Sequence, residues 1–368
     1  MRYLLHSFEV REDVMKLKAI FTVLVGIIFL SVPAPAQSGR MRGEEKGSQQ
    51  GAVRLRAEEV LLPISARTDL GKLVEEIKPS ELIVAEDDKR QQVTSVLRMP
   101  ANLLLIVDTS GREVAVKSIN KNRELALKII ESLGSKDQAA IITYADTVNL
   151  VSDWTSSKEE LRQAVNEKFR PGLESRLYES LLFAARDVLS KVEGRRDVVL
   201  ITDGVDTFNA DLLLEAMAAL HRARATVYVI SQSQIILDDI EPRAYNALSW
   251  YERLDPQQNK RIQQLRRYAG KIKAGRAVMG ELADATGGVV WIPASDEEFL
   301  KTDRSIMEEM ETEFIVSYVS ERREDDEEAH RVNVYSSNPH IKIRSRSKVY
   351  SNRDETKGRE PAAPASKN

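Results

Sequence analysis

The sequence predicts an α/β fold with a doubly wound, mostly parallel sheet, plus a small β-domain built from its N- and C-terminal segments. Three observations predict this. Residues 102–111 read NLLLIVDTSG, an aliphatic run of strand length that ends abruptly in polar groups, as expected of a strand buried on both faces. Similar runs recur around Ile141, Leu200, Val229 and Val290, with helical periodicity between them, which is the pattern of a parallel sheet with helical crossovers. Short alternating segments lie near both ends of the chain, and neither end alone has enough strands to bury a face.

The elements follow in order. Residues 1–36 read as an export signal: Met15-Lys16-Leu17-Lys18 supplies positive charge, residues 19–32 are continuously apolar, and Ala34-Pro35-Ala36 fits a small-x-small cleavage site. Glu9, Glu12 and Asp13 suit such a signal poorly, which places the start at Met15. Cleavage after Ala36 yields a secreted or periplasmic protein with no integral membrane span; the alternative is a retained N-terminal membrane anchor. Residues 37–51 form a flexible Gly-containing linker. Residues 52–98 form an N-terminal β segment, with one strand at Val60-Leu61-Leu62-Pro63-Ile64, a strand and acidic turn over 82–91, and a return strand over 92–96.

Residues 99–312 form the α/β domain. After the strand at 102–108 come a helix over 122–133 ended by Gly134, a strand over 139–144, and a helix over 157–169 with Ser157 as its N-cap. A long helix spans 175–192, opened by the hydroxyl of Ser175; a strand leads to Asp203; a helix spans 210–223, and a strand 226–230. An insertion at 232–275 carries many charges, with Pro242 and Pro256 as breaks. It reads as a helix pair across the sheet edge or as a partner-binding arm. A last strand at 289–292 and a final helix over 296–311 complete the domain. Residues 313–350 form the C-terminal β segment, with a solvated hairpin connection over 321–330, and 351–368 a disordered tail.

Composition narrows the function. The chain has 368 residues and a net charge of −3, so no basic excess points to nucleic acid. It has no cysteine, which excludes disulfides, thiolate metal sites and cysteine nucleophiles. Its four histidines, His6, His221, His330 and His340, have no ligand-like spacing, which argues against zinc hydrolase and Ser-His-Asp chemistry.

The chemistry concentrates at strand ends. Asp108 and Ser110, two residues apart, offer hard oxygen ligands of the kind Mg²⁺ takes, and Asp203 ends a second buried strand. The bland reading is that Asp108 and Asp203 only cap the adjacent helices. With S-R-L-Y-E-S-L at 175–181 between them, these residues resemble the von Willebrand factor type A domain, a Rossmann-like fold. That family binds a divalent cation through a D-x-S-x-S loop, a distant Thr in T-x-L-Y-D-A-L, and a later Asp. The resemblance implies Asp108, Ser110, Ser175 and Asp203 as the metal set, with Ser175 in the Thr place. Arg112 stands where the second Ser belongs, and a guanidinium repels a cation. The site is therefore expected to be degenerate, with weak Mg²⁺ or Mn²⁺ binding. Thr109, Arg112 and Asp206 are the expected partner contacts. Further segments, Leu282-Ala283-Asp284-Ala285-Thr286-Gly287-Gly288 and Phe314-Ile315-Val316-Ser317-Tyr318, resemble the L-A-x-x-T-G-G and Y-x-x-x-Y patterns of an exported bacterial subfamily of type A proteins.

Three functions follow. The resemblance implies a non-enzymatic exported adhesion or envelope-scaffold module that accepts an acidic side chain of a protein partner on its cation. A structural envelope protein with a decayed, metal-free site is the alternative. A Mg²⁺-dependent hydrolase is the third, and the missing second acidic partner and phosphate loop weigh against it.

Overall fold

The computed structural model describes residues 58–111, 119–245, 255–320, 330–346 and 348–349. The expected signal, the linker, Arg112, the connection at 321–329 and the tail at 351–368 lie outside the described residues. No described helix is long and apolar enough to cross a membrane.

The strands are β1 (Glu58–Thr68), β2 (Leu82–Glu86), β3 (Lys89–Gln91), β4 (Val93–Leu97), β5 (Asn102–Asp108), β6 (Gln138–Tyr144), β7 (Val148–Thr155), β8 (Arg196–Thr202), β9 (Thr226–Ser231), β10 (Val290–Trp291), β11 (Glu313–Ser320), β12 (His330–Ser336), β13 (Ile341–Ser345) and β14 (Lys348–Val349). The central sheet runs β10-β9-β8-β5-β6-β7, parallel except for the antiparallel edge strand β7. This is the doubly wound sheet that the alternation of buried strands and helices predicts. β7 is an addition: its V-N-L-V-S-D-W-T mixture of polar and apolar residues is half-exposed, as befits an edge, and lacks the aliphatic run that marks the inner strands.

Strand residues alternate between two apolar layers. Leu104 and Ile106 join one core with α3 (Leu177–Phe183), α4 (Leu213–Arg222) and the end of α6 (Pro256–Thr286). Leu103, Leu105 and Val107 join the other, with α1 (Ile119–Ser132), α2 (Lys158–Lys168), α7 (Asp296–Leu300) and α8 (Thr302–Met310). Ser157 caps α2 as its sequence predicts, accepting from Glu160 N at 3.3 Å.

Several elements differ from the sequence expectation. The helix over 175–192 begins only at Leu177, and after Phe183 it changes to a π-type turn over Ala184–Val188 and a tight turn over Leu189–Lys191. The helix over 296–311 is two helices, divided at Lys301. Pro242 does not break its helix: it sits near the end of α5 (Ser233–Tyr245), where one lost backbone hydrogen bond is offset by burial of Leu237, Ile240 and Ala244. Pro256 opens α6 at its first position, where a proline costs no hydrogen bond, and Asp255 caps it by accepting from Gln257 N. α6 continues past 275 to Thr286. There Gly287 ends the helix at φ 82°, and Gly288 presses on β9 so closely that a Cβ would lie 1.9 Å from Val227 O. That contact is the physical reason for two adjacent glycines after Thr286, whose Oγ1 also accepts from Val227 N.

The end segments form two antiparallel sheets, β13-β1-β11-β4 and β14-β12-β2-β3. They share a core of Val60, Leu62, Ile64, Val84, Val316, Tyr318 and Val332. Both sheets mix strands from the two ends of the chain, the small β-domain expected from segments that cannot bury a face alone. The acidic turn at Asp87 and Asp88 is real, but its return strand is β3. The 93–97 run instead crosses to the other sheet and pairs with β11.

Candidate functional site

The site begins where β5 and β8 end side by side. Val107 is in register with Ile201, so Asp108 and Asp203 leave neighbouring parallel strands, which lie about 5 Å apart. This is the carboxyl edge of the sheet, where open α/β folds bind ligands. Both aspartates are buried.

Three loops are stitched together here. In the first, Asp108 Oδ1 accepts from Ser110 N at 2.8 Å and from Ser110 Oγ at 2.6 Å. The Ser110 hydroxyl thus gives its proton to the carboxylate, the orientation a serine ligand needs, because lone pairs and not a proton must face a cation. Asn122 on α1 donates to Asp108 O and accepts from Gln232, which fixes the backbone at the strand end.

The second loop pairs with the first through a bridge between Ser110 and Gly172, with Gly111 N donating to Gly172 O at 2.8 Å. Asp146 supports it by accepting from Leu173 N and Glu174 N, and these backbone hydrogen bonds hold its carboxyl below the usual aspartate range. Ser175 follows. Its N–H donates to Thr207 Oγ1 and its carbonyl accepts from Thr207 N, which ties it to the third loop. Its side chain is only 3% exposed, yet Ser175 Oγ has no hydrogen-bond partner among the described residues. A buried hydroxyl without a partner costs about 1–3 kcal/mol, a cost that a bound water or a cation would offset.

The third loop carries Asp203. Its Oδ1 accepts from Val205 N at 2.9 Å, and its Oδ2 from the hydroxyl of Tyr268 on α6 at 2.7 Å. The structure therefore brings Asp108, Ser110, Ser175 and Asp203 to one end of the sheet. The field there is negative: Tyr144 is pushed well above the usual tyrosine range by burial first, then by the charges of Asp108, Asp203 and Asp206. Its hydroxyl donates to Thr202 at 2.8 Å.

The expected partner contacts fare differently. Thr109 is buried, with its hydroxyl donating to Tyr144 O, so it faces inward. Asp206 spends its carboxylate on Tyr178 N, Phe208 N and Asn209 N, holding the start of α3. Arg112 lies outside the described residues. The exposed large apolar side chains on these loops are Leu173, 67% exposed, and Phe208, 47% exposed, with the Arg176 guanidinium stacked on its ring at 3.6 Å.

Asn122, Tyr144 and Tyr268 are the site residues that sequence reasoning misses. Asn122 gives a weak signal, a buried polar residue on the apolar face of α1. Tyr268 gives none, because its helix is charged along its length.

The donor set is hard oxygen throughout, two carboxylates and two hydroxyls, and suits Mg²⁺ or Mn²⁺. The orphaned Ser175 hydroxyl fits it. Among the described residues no group of three or more His, Asp or Glu side chains is arranged to hold a metal, so a cation here would need the serine oxygens as well.

Residues 102–249 match the model of the von Willebrand factor type A domain family, and the chain contains a domain of that type. Among solved structures it is similar to an aerotolerance-related membrane protein from Bacteroides fragilis, at 16% identity and a TM-score of 0.39 over 57% of this chain and 98% of that one. It is also similar to conserved hypothetical protein BatB from Bacteroides thetaiotaomicron, at 19% identity and a TM-score of 0.30 over 36% of this chain and 66% of that one. A third is proximal thread matrix protein 1 from the mussel byssus, solved with a zinc-occupied MIDAS motif, at 12% identity and a TM-score of 0.43; the chain covers 48% of that protein, and the match spans 61% of this one. No curated protein matches the chain.

Proposed function

We propose that this chain is a non-enzymatic, exported protein-binding module of adhesion or envelope-scaffold type, built around a degenerate metal-ion-dependent site. The observation that carries the reading is the buried, unpartnered Ser175 hydroxyl on loops that also present Asp108, Ser110 and Asp203. The type A domain match supports it. Asp108, Ser110, Ser175 and Asp203 would hold a hard cation, which would supply positive charge to attract an acidic side chain of a partner protein, and this would need no proton transfer. Asp108 and Asp203 supply the negative charge, while Ser110 and Ser175 supply neutral oxygens. Two carboxylates make a modest site, and Arg112 in the place of a serine weakens it further. The export signal read in residues 1–36 supports a location outside the cytoplasm, secreted or periplasmic, with a retained N-terminal membrane anchor as the alternative.

Titration calorimetry with Mg²⁺ and Mn²⁺ tests this. Wild type is expected to bind weakly, Asp108→Ala to lose binding, and Arg112→Ser to tighten it about tenfold, on the order of 1.4 kcal/mol. Absence of both a binding heat and a cation-induced rise in melting temperature for wild type and Arg112→Ser alike sinks the reading. The metal-free structural role then takes its place.

A further inference from the structure

Three consecutive residues of the Asp203 loop are docked on the helix pair α5–α6. Asp203 Oδ2 accepts from Tyr268 Oη. Gly204, at φ 82°, lies backbone to backbone against Gly275, where a Cβ on Gly275 would come within 2.1 Å of Gly204 O. Val205 joins Ile236, Leu237, Ile240, Leu265 and Ile272 in a small core of its own. Tyr268 and Gly275 are seven residues apart, two turns, so one face of α6 makes both contacts. The far end of α6, through Met279, Leu282 and Ala283, belongs to the main core under the sheet. The hairpin half is held by its own small core and by this loop.

We propose that Tyr268 is a positioning residue for the cation site, and that through it the α5–α6 hairpin senses whether the site is filled. The proposal rests on the cation reading above. Asp203 accepts Val205 N–H on Oδ1 and Tyr268 O–H on Oδ2, and these contacts on both carboxylate oxygens constrain its rotation. A ligand held at a preset angle binds more tightly than one that must be ordered, and loss of such an outer partner typically costs 10–100-fold in metal affinity. Coupling is reciprocal: what Tyr268 gives to the cation, the cation returns to the Tyr268 contact, and so to the docking of α6. The separation of 65 positions between Asp203 and Tyr268 makes this a tertiary link between the hairpin and the site.

The test is Tyr268→Phe, which keeps the ring in its core and removes only the hydroxyl. Calorimetry with Mg²⁺ is expected to show about tenfold weaker binding than wild type. Hydrogen exchange of wild type is expected to slow in α6 around residues 262–275 on adding Mg²⁺, and the slowing to vanish in Tyr268→Phe. If wild type binds Mg²⁺ but the variant binds it equally or more tightly, or if α6 exchange does not slow, this proposal fails and the cation reading stands. If wild type binds no Mg²⁺, the cation reading itself fails and takes the proposal with it.

Discussion

At the scale of single residues, Ser175 has opposite effects on folding and on binding. Its buried hydroxyl has no partner among the described residues, so the cation-free protein bears a desolvation cost there. Ser175→Ala is therefore expected to raise the stability of the chelator-treated protein by about 1 kcal/mol, and to weaken Mg²⁺ binding at least tenfold. Thermal melts in EDTA and calorimetry with Mg²⁺ check the two halves; a variant less stable than wild type in EDTA contradicts the account. Much of this site is legible in the sequence. Asp108 and Asp203 follow aliphatic runs, and a strand that ends at a carboxylate announces both its place and its chemistry. The orientation of Thr109 and Asp206 is less legible. Spacing places Thr109 and Asp206 in the right loops, but local backbone geometry decides which way a loop side chain points. Thr109 turns to Tyr144 O and Asp206 to three backbone N–H groups. Tyr268 could not be foreseen, because its contact is tertiary and its helix looks like a solvated one.

At the scale of elements, α6 offers a paired experiment on two glycines. Gly275→Ala forces a Cβ against the Gly204 backbone, which cannot yield as a flexible side chain would. It is expected to cost about 2 kcal/mol. Gly270, five residues earlier on the same helix, has open space where its Cβ would go. Gly270→Ala is expected to stabilise by about 0.5–1 kcal/mol through helix propensity alone. Chemical denaturation of both variants separates the effects, and equal responses would show that the Gly204–Gly275 contact is not tight. The inner strands and most helices are legible because their periodicity is strong. The half-exposed edge strand β7 has no such run, and the division of the 296–311 helix at Lys301 leaves no breaker in the sequence. Pro242 misleads as a helix breaker because packing against Val205 and α6 outweighs a single lost hydrogen bond.

At the scale of the whole molecule, the α/β part and the β part meet through buried polar groups. Glu309 on α8 accepts from Ser65 and Arg67 of β1, at 2.8 and 2.9 Å, and from Arg344 of β13. Burial pushes its carboxyl up, but Arg344, Arg67 and Ser65 together outweigh burial and hold it below the usual glutamate value of 4.5. Its contribution is therefore fully present above 4.5 and is lost as pH falls through the lowered folded value. Glu309→Gln is expected to cost about 2 kcal/mol at neutral pH. The gap between wild type and variant should shrink as melts are taken from pH 7 down through the acidic range; a gap that is constant with pH would rule out the ionised clamp. Beside it, Arg195 bridges Asp197 and Glu313 at 2.7 and 3.3 Å, and Tyr228 donates to Glu313, so β8 and β9 are tied to β11. The pairing of chain ends was legible as a need, since neither end could bury a face. Its register was not, because β1 pairs with β11 and β13, far away in sequence. That long separation also sets an order of events during synthesis. β1 leaves the ribosome well before β11 and β13, and can pair with them only after the whole α/β part has been made. Until then the backbone edges of β1 that pair with β11 and β13 stay open, edges of the kind that recruit holding chaperones or other unfinished chains. Release of a chain that stops short of β11 would leave those edges permanently open, so loss of the last strands should be read out first as aggregation rather than as weakened binding.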